Sequence, residues 1–217
     1  MVKQERSKRT LEQLVRAAAE EFERHGFAGA TLLRISGSAG VTKGALFFHF
    51  ATKDELADAV RQRCVDDLDS LVEELRGAGR SPLQILVDLT YRLGLLLRED
   101  PFARAGVRLA HERRGAGAVP PDFHELWLGR VWGLLDEARG RGELSRTVTD
   151  DLARSAVTAV VSGVETLAWM GKPYPQAERW LSGLWGLLLP LLVSPGSLRA
   201  LRAAAPDTEE TRTSGTG

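Results

Sequence analysis

The 217 residues set 29 Lys and Arg against 29 Asp and Glu, contain one cysteine and are 43% hydrophobic. That mix supports a sizeable globular core and excludes a disordered, collagen-like or disulfide-stapled chain. The most apolar stretch, Leu181 to Val193, has 13 residues including Pro190 and is too short to span a membrane, and the charged N-terminus MVKQERSKRT lacks the apolar run of a signal peptide.

Helical periodicity recurs along the chain, and the period-two alternation of strands is absent. Leu11, Leu14, Val15, Ala18 and Phe22 form one stripe, closed by Gly26 at a C′ position. Thr31 is placed to cap a short second helix to about Ala39, with Leu32, Ile35 and Ala39 inward, and Gly40 suits the turn after it. Thr42 caps a third short helix ending near Phe50. Thr52 opens a long fourth helix, with Leu56, Val60, Cys64, Leu68, Leu71 and Leu75 inward, that runs to Gly77 or Gly79. At ~1.5 Å per residue it is ~35 Å long, enough to link two lobes. Beyond the GAGRSP break, helices are expected from about Pro82 to Arg98, Phe102 to Arg113, Asp122 to Arg139, Asp150 to Met170 and Pro175 to Val193, with a flexible GAGAVPP segment after the second. The last two are apolar nearly all round, which a subunit interface explains. The fold class is all-α: a helix-turn-helix domain at 1–52, a helical ligand-binding and dimerisation domain at 53–202, and a disordered tail at 203–217.

Two short helices joined by a glycine turn, the second opened by a threonine cap, meet the requirements of a helix-turn-helix. The second helix of such a pair enters the major groove by its N-terminal end. Thr31 and Thr42 offer hydroxyls and backbone N–H groups to phosphates. Lys43, the only lysine between Lys8 and Lys53, is placed for a guanine edge or a phosphate. Gly44 and Ala45 let the backbone approach the groove, and His49 and Lys53 flank its other end. Lys3, Arg6, Lys8 and Arg9 against Glu5 make the first ten residues a basic arm. The Glu20, Glu21 and Glu23 cluster that offsets this charge is expected on the outer, solvated face of the first helix. Short helix pairs with threonine caps also occur in helical proteins that never touch DNA.

The stretch TLLRISGSAGVTKGALFFHFATKDELADAV resembles the DNA-binding signature of TetR-family transcriptional regulators, most specifically in AGVTKGALFFHF and the following KDEL. ARAGVRLA (103–110) and the Trp127 region look like the γ-butyrolactone receptor branch of actinobacteria, and 24 Arg against 5 Lys fits a GC-rich genome. The resemblance implies a repressor of antibiotic or secondary-metabolite genes that a γ-butyrolactone-type signal releases from operator DNA. A pseudo-receptor answering to antibiotics or their intermediates is the alternative within the family. Carried over by position, Thr31, Thr42, Lys43, Gly44, His49 and Lys53 match DNA-contacting positions, joined by Arg6 and Lys8 of the arm. Phe47 departs from the family's usual tyrosine, whose hydroxyl meets a phosphate. Trp127 matches a pocket-lining tryptophan of that branch, with Val107, Ser162, Gly163 and Thr166 as companions. Aromatics at helical spacing also build cores, and core or dimer packing is the reading favoured for Trp132, Trp180 and Trp185; Trp169 fits either role.

The expected partners are double-stranded operator DNA, a small-molecule effector and a second copy of the chain bound through the last two helices. Catalysis has little support. His25, His49, His111 and His124 show no metal-ligand spacing with Cys64 or each other, Cys64 falls on an apolar helix face, and there is no glycine-rich phosphate loop. No cofactor, metal or membrane association is expected, and the lone cysteine fits a reducing cytoplasm. From a different class, a helical dimer that binds only protein explains the apolar last helices equally well, but not the AGVTKGALFFHF word or its basic flanks.

Overall fold

A computed structural model describes residues 2–113 and 123–206, so the GAGAVPP segment and the tail beyond residue 206 lie outside the described residues. The chain is all-α. Its helices are α1 (Val2–Gly29), α2 (Leu32–Ser38), α3 (Lys43–His49), α4 (Lys53–Gly77), α5 (Pro82–Glu99), α6 (Pro101–Arg113), α7 (Phe123–Gly140), α8 (Asp150–Trp169), α9 (Tyr174–Leu192) and α10 (Pro195–Leu198). Among the described residues the only strand-like pairing is one antiparallel bridge between Leu144 and Val193. The short α10, a single turn opened by Pro195, has no counterpart in the periodicity, because four residues are too few to show one.

Two packing units form, and neither is contiguous in sequence. The first holds residues 1–70 and 99–127, the second residues 71–98 and 128–217. Much of α4 and all of α6 therefore pack with the first three helices, although a boundary after residue 52 is what the sequence suggests. The core of the first unit explains why. Leu14, Ala18 and Phe22 of α1, Ile35 of α2, Leu46 of α3, and Leu56 and Val60 of α4 bury together with Ala105 and Leu109 of α6. Each large aliphatic or aromatic side chain so buried contributes about 1.5–3 kcal/mol. The short α2 and α3 present one apolar stripe each and cannot stand alone.

α1 breaks at Gly26, as its place after the apolar stripe suggests. Its φ of +69° lies in the left-handed region, and a Cβ there would sit 2.0 Å from the Glu112 carboxylate. The carbonyls and amides left over at this break are taken up by α6. Arg108 donates to Glu23 O at 2.6 Å and Arg24 O at 3.0 Å, while Glu112 accepts from the Phe27 N–H at 2.6 Å and pairs with Arg108 at 3.0 Å. Burial alone raises the Glu112 carboxyl, but the Arg108 guanidinium and the Phe27 amide outweigh it and hold the group below its ordinary range.

The acidic cluster on α1 does not form the solvated outer face expected of it. Glu23 pairs with Arg104 of α6 at 2.6 Å. Glu21 is 5% exposed, 3.8 Å from the His25 ring, and its Oε2 lacks a hydrogen-bond partner among the described residues. Glu20 is half-buried like Glu23 and lies 3.4 Å from Arg16. The cause is α6: it covers a side of α1 that a local reading assigns to water.

In the second unit, α5 is buried at every position from Pro82 to Tyr91, so its polar residues need internal partners. Thr90 Oγ1 accepts from the Trp185 indole at 2.9 Å and donates to Val87 O at 2.7 Å. Asp88, wholly buried, accepts from Gln84 at 2.8 Å and faces Arg202 at 3.4 Å. Burial pushes its carboxyl up, and Gln84 and Arg202 only partly oppose this. The Arg202 N–H donates to Gln84 Oε1 at 2.8 Å and the Tyr91 hydroxyl donates to Ala203 O, so the chain is still fastened to α5 where a disordered tail was expected to begin. Trp132 lies against α8, its indole 3.3 Å from Thr158 Oγ1.

Candidate nucleic-acid interface and effector site

Local chemistry fixes the geometry of α2 and α3. Thr31 Oγ1 accepts from the Arg34 N–H at 3.3 Å, and Thr42 Oγ1 accepts from the Ala45 N–H at 3.1 Å. Both caps are in the extended backbone conformation an N-cap requires. Gly40, at φ +66°, makes the turn between the helices, with Val41 N–H donating to Ser36 O at 3.0 Å. A hydroxyl that accepts from backbone keeps its own proton, so each capping threonine still has a donor for an anion. α4 opens on a capping box: Thr52 Oγ1 accepts from Glu55 N–H at 3.1 Å, and Glu55 accepts from Ala51 N–H at 2.8 Å.

α3 buries Leu46 alone and exposes most of its remaining surface. Thr42, Lys43, Gly44 and Phe47 are exposed, and Lys43 Nζ lies 5.6 Å from the centre of the Phe47 ring, one turn on. Phe48 is 80% exposed and packs edge-on against His49 at 5.2 Å. An α-helix with cationic, small and aromatic side chains on its free face has the size and chemistry of a major-groove reader. The basic arm is not extended: Arg6 and Lys8 are exposed residues in the first turns of α1. Lys8, Leu11 and His49 line one groove with Gln4, Glu5 and Ser7, about 540 Å³ in volume.

Lys53 differs from the expected phosphate contact. Its ammonium donates to Phe27 O at 2.6 Å and Ala30 O at 3.0 Å, and it sits 4.5 Å from the Phe27 ring centre. It caps the end of α1 and anchors the start of α4 to the loop that carries Thr31. Its reach toward DNA is thereby limited to the one N–H that these two bonds leave over.

The five expected effector residues fall into different surroundings. Val107 and Trp127 belong to the first unit and are buried, Trp127 to 1% exposure. Ser162, Gly163 and Thr166 belong to the second unit. There Ser162 is half-buried, Gly163 and Thr166 are exposed, and Thr166 Oγ1 donates back to Ser162 O at 2.7 Å. A Cβ on Gly163 would meet nothing within 4 Å. Small residues on a helix signal close approach of something, but not whether that is a ligand or another helix.

Sequence reasoning missed two features. One is the Arg104, Arg108 and Glu112 row on α6 that grips the end of α1; its i, i+4, i+8 spacing is visible, its target is not. The other is a cavity of about 490 Å³ within the second unit, between α5, α8 and the start of α9. Gly94, Leu97, Val164 and Ala168 make its apolar wall, while Arg98, Lys172 and Tyr174 supply polar groups. Lys172 lies in a loop, where periodicity carries no signal.

Cys64 is buried, its thiol donates to Phe102 O at 3.3 Å, and burial pushes its pKa up, so it is a poor nucleophile. Among the described residues no three His, Cys, Asp or Glu side chains converge as metal ligands, and no helix is long and apolar enough to cross a membrane.

Residues 14–60 match the family described as bacterial regulatory proteins, tetR family. The chain is 31% identical over 203 residues to the A-factor receptor protein of Streptomyces griseus, an alignment covering 93% of this chain and 70% of that one. A crystal structure of a γ-butyrolactone receptor (ArpA-like protein) superposes with a TM-score of 0.70 at 32% identity, covering 90% of this chain and 93% of that one. The TetR family protein CprB of Streptomyces coelicolor, solved in complex with its biological operator sequence, superposes with a TM-score of 0.69 at 31% identity, covering 90% and 94%.

Proposed function

The chain belongs to the TetR family of bacterial regulatory proteins, and on that premise we propose that it is a homodimeric repressor of antibiotic or secondary-metabolite genes, released from its operator by a γ-butyrolactone-type signal. The observation that carries the reading is α3: a threonine-capped helix whose free face offers Lys43, Gly44 and Phe47, in a chain that aligns over nearly its whole length with the A-factor receptor protein.

In this reading α3 enters the major groove. Lys43 reads a base edge or phosphate, while Thr31, Thr42, Gly44, His49 and the arm residues Arg6 and Lys8 fix the head on the backbone. Phe47 supplies apolar contact where a tyrosine would donate a hydrogen bond. Lys53 acts chiefly as the pin between α1 and α4. Dimerisation runs through α8 and α9. The stripe Trp180, Leu184, Leu187 and Leu191 on α9 is exposed at i, i+4, i+7 spacing, which favours a helix-on-helix seam. Two heads in such a dimer read half-sites roughly 34–36 Å apart or a multiple of that.

In the first unit the buried Trp127 and Val107 are the proposed lactone contacts, and Ser162, Gly163 and Thr166 are separate candidate contacts in the second unit. Effector binding changes the spacing of the heads, with α4, whose residues divide between the two packing units, carrying the change. A ligand must prefer the released form by about 5.5 kcal/mol to move the population from 1:99 to 99:1. A gel shift on the gene's own upstream DNA at two salt concentrations tests the binding step. Titration of that complex with a butyrolactone panel, and with the host's antibiotics, tests release. A specific, salt-sensitive shift dissolved by a lactone is expected. Absence of a specific shift sinks the DNA reading, and a complex that only antibiotics dissolve makes the chain a pseudo-receptor instead.

A further inference from the structure

α2 buries only Ile35 and Ser36, and its exposed residues are Leu33, Arg34, Gly37 and Ser38. Among these Arg34 alone is charged. Its backbone N–H donates to the Thr31 cap, but its guanidinium has no partner among the described residues. By contrast Arg61, Arg63, Arg104 and Arg108 of the same unit each meet a carboxylate within 3.5 Å. The place of this cation also breaks a local rule that the start of α4 obeys. Three residues after a threonine cap an acid completes a capping box, as Glu55 does after Thr52. Arg34 stands in that position after Thr31. A guanidinium has no acceptor to offer a backbone N–H, and a cation in the first turn of a helix opposes the helix dipole. Arg34 thus weakens α2 with no compensating contact inside the chain, the signature of a residue that acts outside the fold.

The motif sets what that outside partner is. In a helix-turn-helix the second helix reads the groove and the first crosses the sugar–phosphate backbone. α2 is the first helix of the pair, and a planar guanidinium fits two oxygens of one phosphate. We infer that Arg34 is a further operator contact, its guanidinium on a backbone phosphate beside the groove that α3 enters. The inference rests on the operator-binding reading and adds to it one phosphate for each head. Such a contact releases counterions and carries no base information, so it shows in the salt dependence of binding and not in sequence preference.

Fluorescence anisotropy of the full chain on a duplex of the gene's own upstream DNA, titrated with KCl, tests this. Arg34→Gln is expected to lower operator affinity about ten-fold for the dimer, roughly three-fold per head. The plot of log affinity against log salt should become shallower by about two, close to one for each phosphate given up. Arg34→Lys keeps the charge and is expected to keep the slope. Arg34→Glu restores the acid of a capping box, so its melting temperature is expected to rise by about 1–3 °C while its operator affinity falls below that of Arg34→Gln. A purely structural role would move both quantities the same way. Leu33→Ala, at the neighbouring position that is 70% exposed, is expected to leave the slope unchanged. A wild-type complex whose affinity and slope survive Arg34→Gln overturns the inference and leaves the operator reading standing. A changed rank order of operator sequences at an unchanged slope puts Arg34 on a base edge and overturns the phosphate assignment. Absence of any specific wild-type complex overturns both readings together.

Discussion

The α2–α3 surface of the first unit and the buried core of the second are fixed by different kinds of interaction. In the first, the decisive bonds around α2, α3 and the start of α4 span three or four residues: Thr31 to Arg34, Thr42 to Ala45, Thr52 to Glu55. In the second, they cross most of the chain: Trp185 to Thr90 over 95 residues, and Arg202 to Gln84 over 118. Each short bond restrains few residues, is worth about 1 kcal/mol and lies at the surface. The long ones satisfy polar groups inside a core, where leaving one unpaired costs about 1–3 kcal/mol. The α2–α3 surface is thus shaped by caps, and the core of the second unit by buried contacts.

The sharpest way to break that contrast is at Trp185. Trp185→Ala removes a wholly buried ring and the donor to Thr90, and is expected to cost about 3–5 kcal/mol in urea unfolding. The matched change in the first unit, Thr42→Ala, is expected to cost about 1 kcal/mol. Equal losses would remove the distinction between the two units. Next in size is Lys43→Ala. It should leave helicity and thermal stability unchanged, because the side chain is exposed and lies beside the equally exposed Phe47 ring. Operator affinity of the dimer, measured by gel shift or fluorescence anisotropy, is expected to fall on the order of 100-fold, about 1.4 kcal/mol for each of two heads. An unchanged affinity would mean that α3 is not the reading element.

The same contrast explains what could be read without a structure. The caps, Gly26, Gly40 and the apolar stripes are local signals, so the order of the long helices and the placing of α2 and α3 were legible. The grip of α6 on α1 was not. Glu23 looks like part of a solvated face until Arg104, more than eighty residues later, pairs with it. Lys53 was legible as a basic residue beside the reading helix, but the carbonyls of Phe27 and Ala30 compete for its protons, and nothing in the local sequence reveals that. Arg98 and Lys172 illustrate the same point for the second unit, since only the packing of α5 with α8 and α9 brings them to one cavity. Buried Asp88 has no periodic signal at all, because its partners are Gln84 one turn back and Arg202 near the C-terminal end.

Glu112 tests whether the first unit also depends on a long-range bond. Its carboxylate joins Arg108 and the Phe27 N–H at the break in α1. Glu112→Gln keeps the shape and removes the charge; a loss of about 1–2 kcal/mol in thermal unfolding is expected. Because the folded protein holds this carboxyl below its ordinary value of 4.5, the stabilisation is fully present above that pH and is lost as pH falls through the lowered folded value. The stability difference between wild type and Glu112→Gln should therefore stay constant from neutral pH to ~5 and close below it. A gap that stays constant through the acid range would mean the carboxylate contributes nothing through its charge.

The smallest effect expected is a gain. Phe47 is 45% exposed, one turn beyond Lys43, with no polar atom to offer. Phe47→Tyr adds a hydroxyl at the ring edge without disturbing the core, since Leu46 alone of α3 is buried. If that edge faces a phosphate, the new bond is worth about 0.5 kcal/mol per head after its own desolvation, and operator affinity rises about five-fold for the dimer. The gain should be accompanied by unchanged thermal stability, because the hydroxyl remains in water in the free protein. It should also leave the rank order of operator sequences unaltered, because a phosphate contact positions the helix without reading a base. A change in sequence preference would instead place residue 47 against a base edge and make it part of the reading surface with Lys43. No change in affinity would put the ring outside the interface, leaving Lys43 and the threonine caps as the contacts of α3.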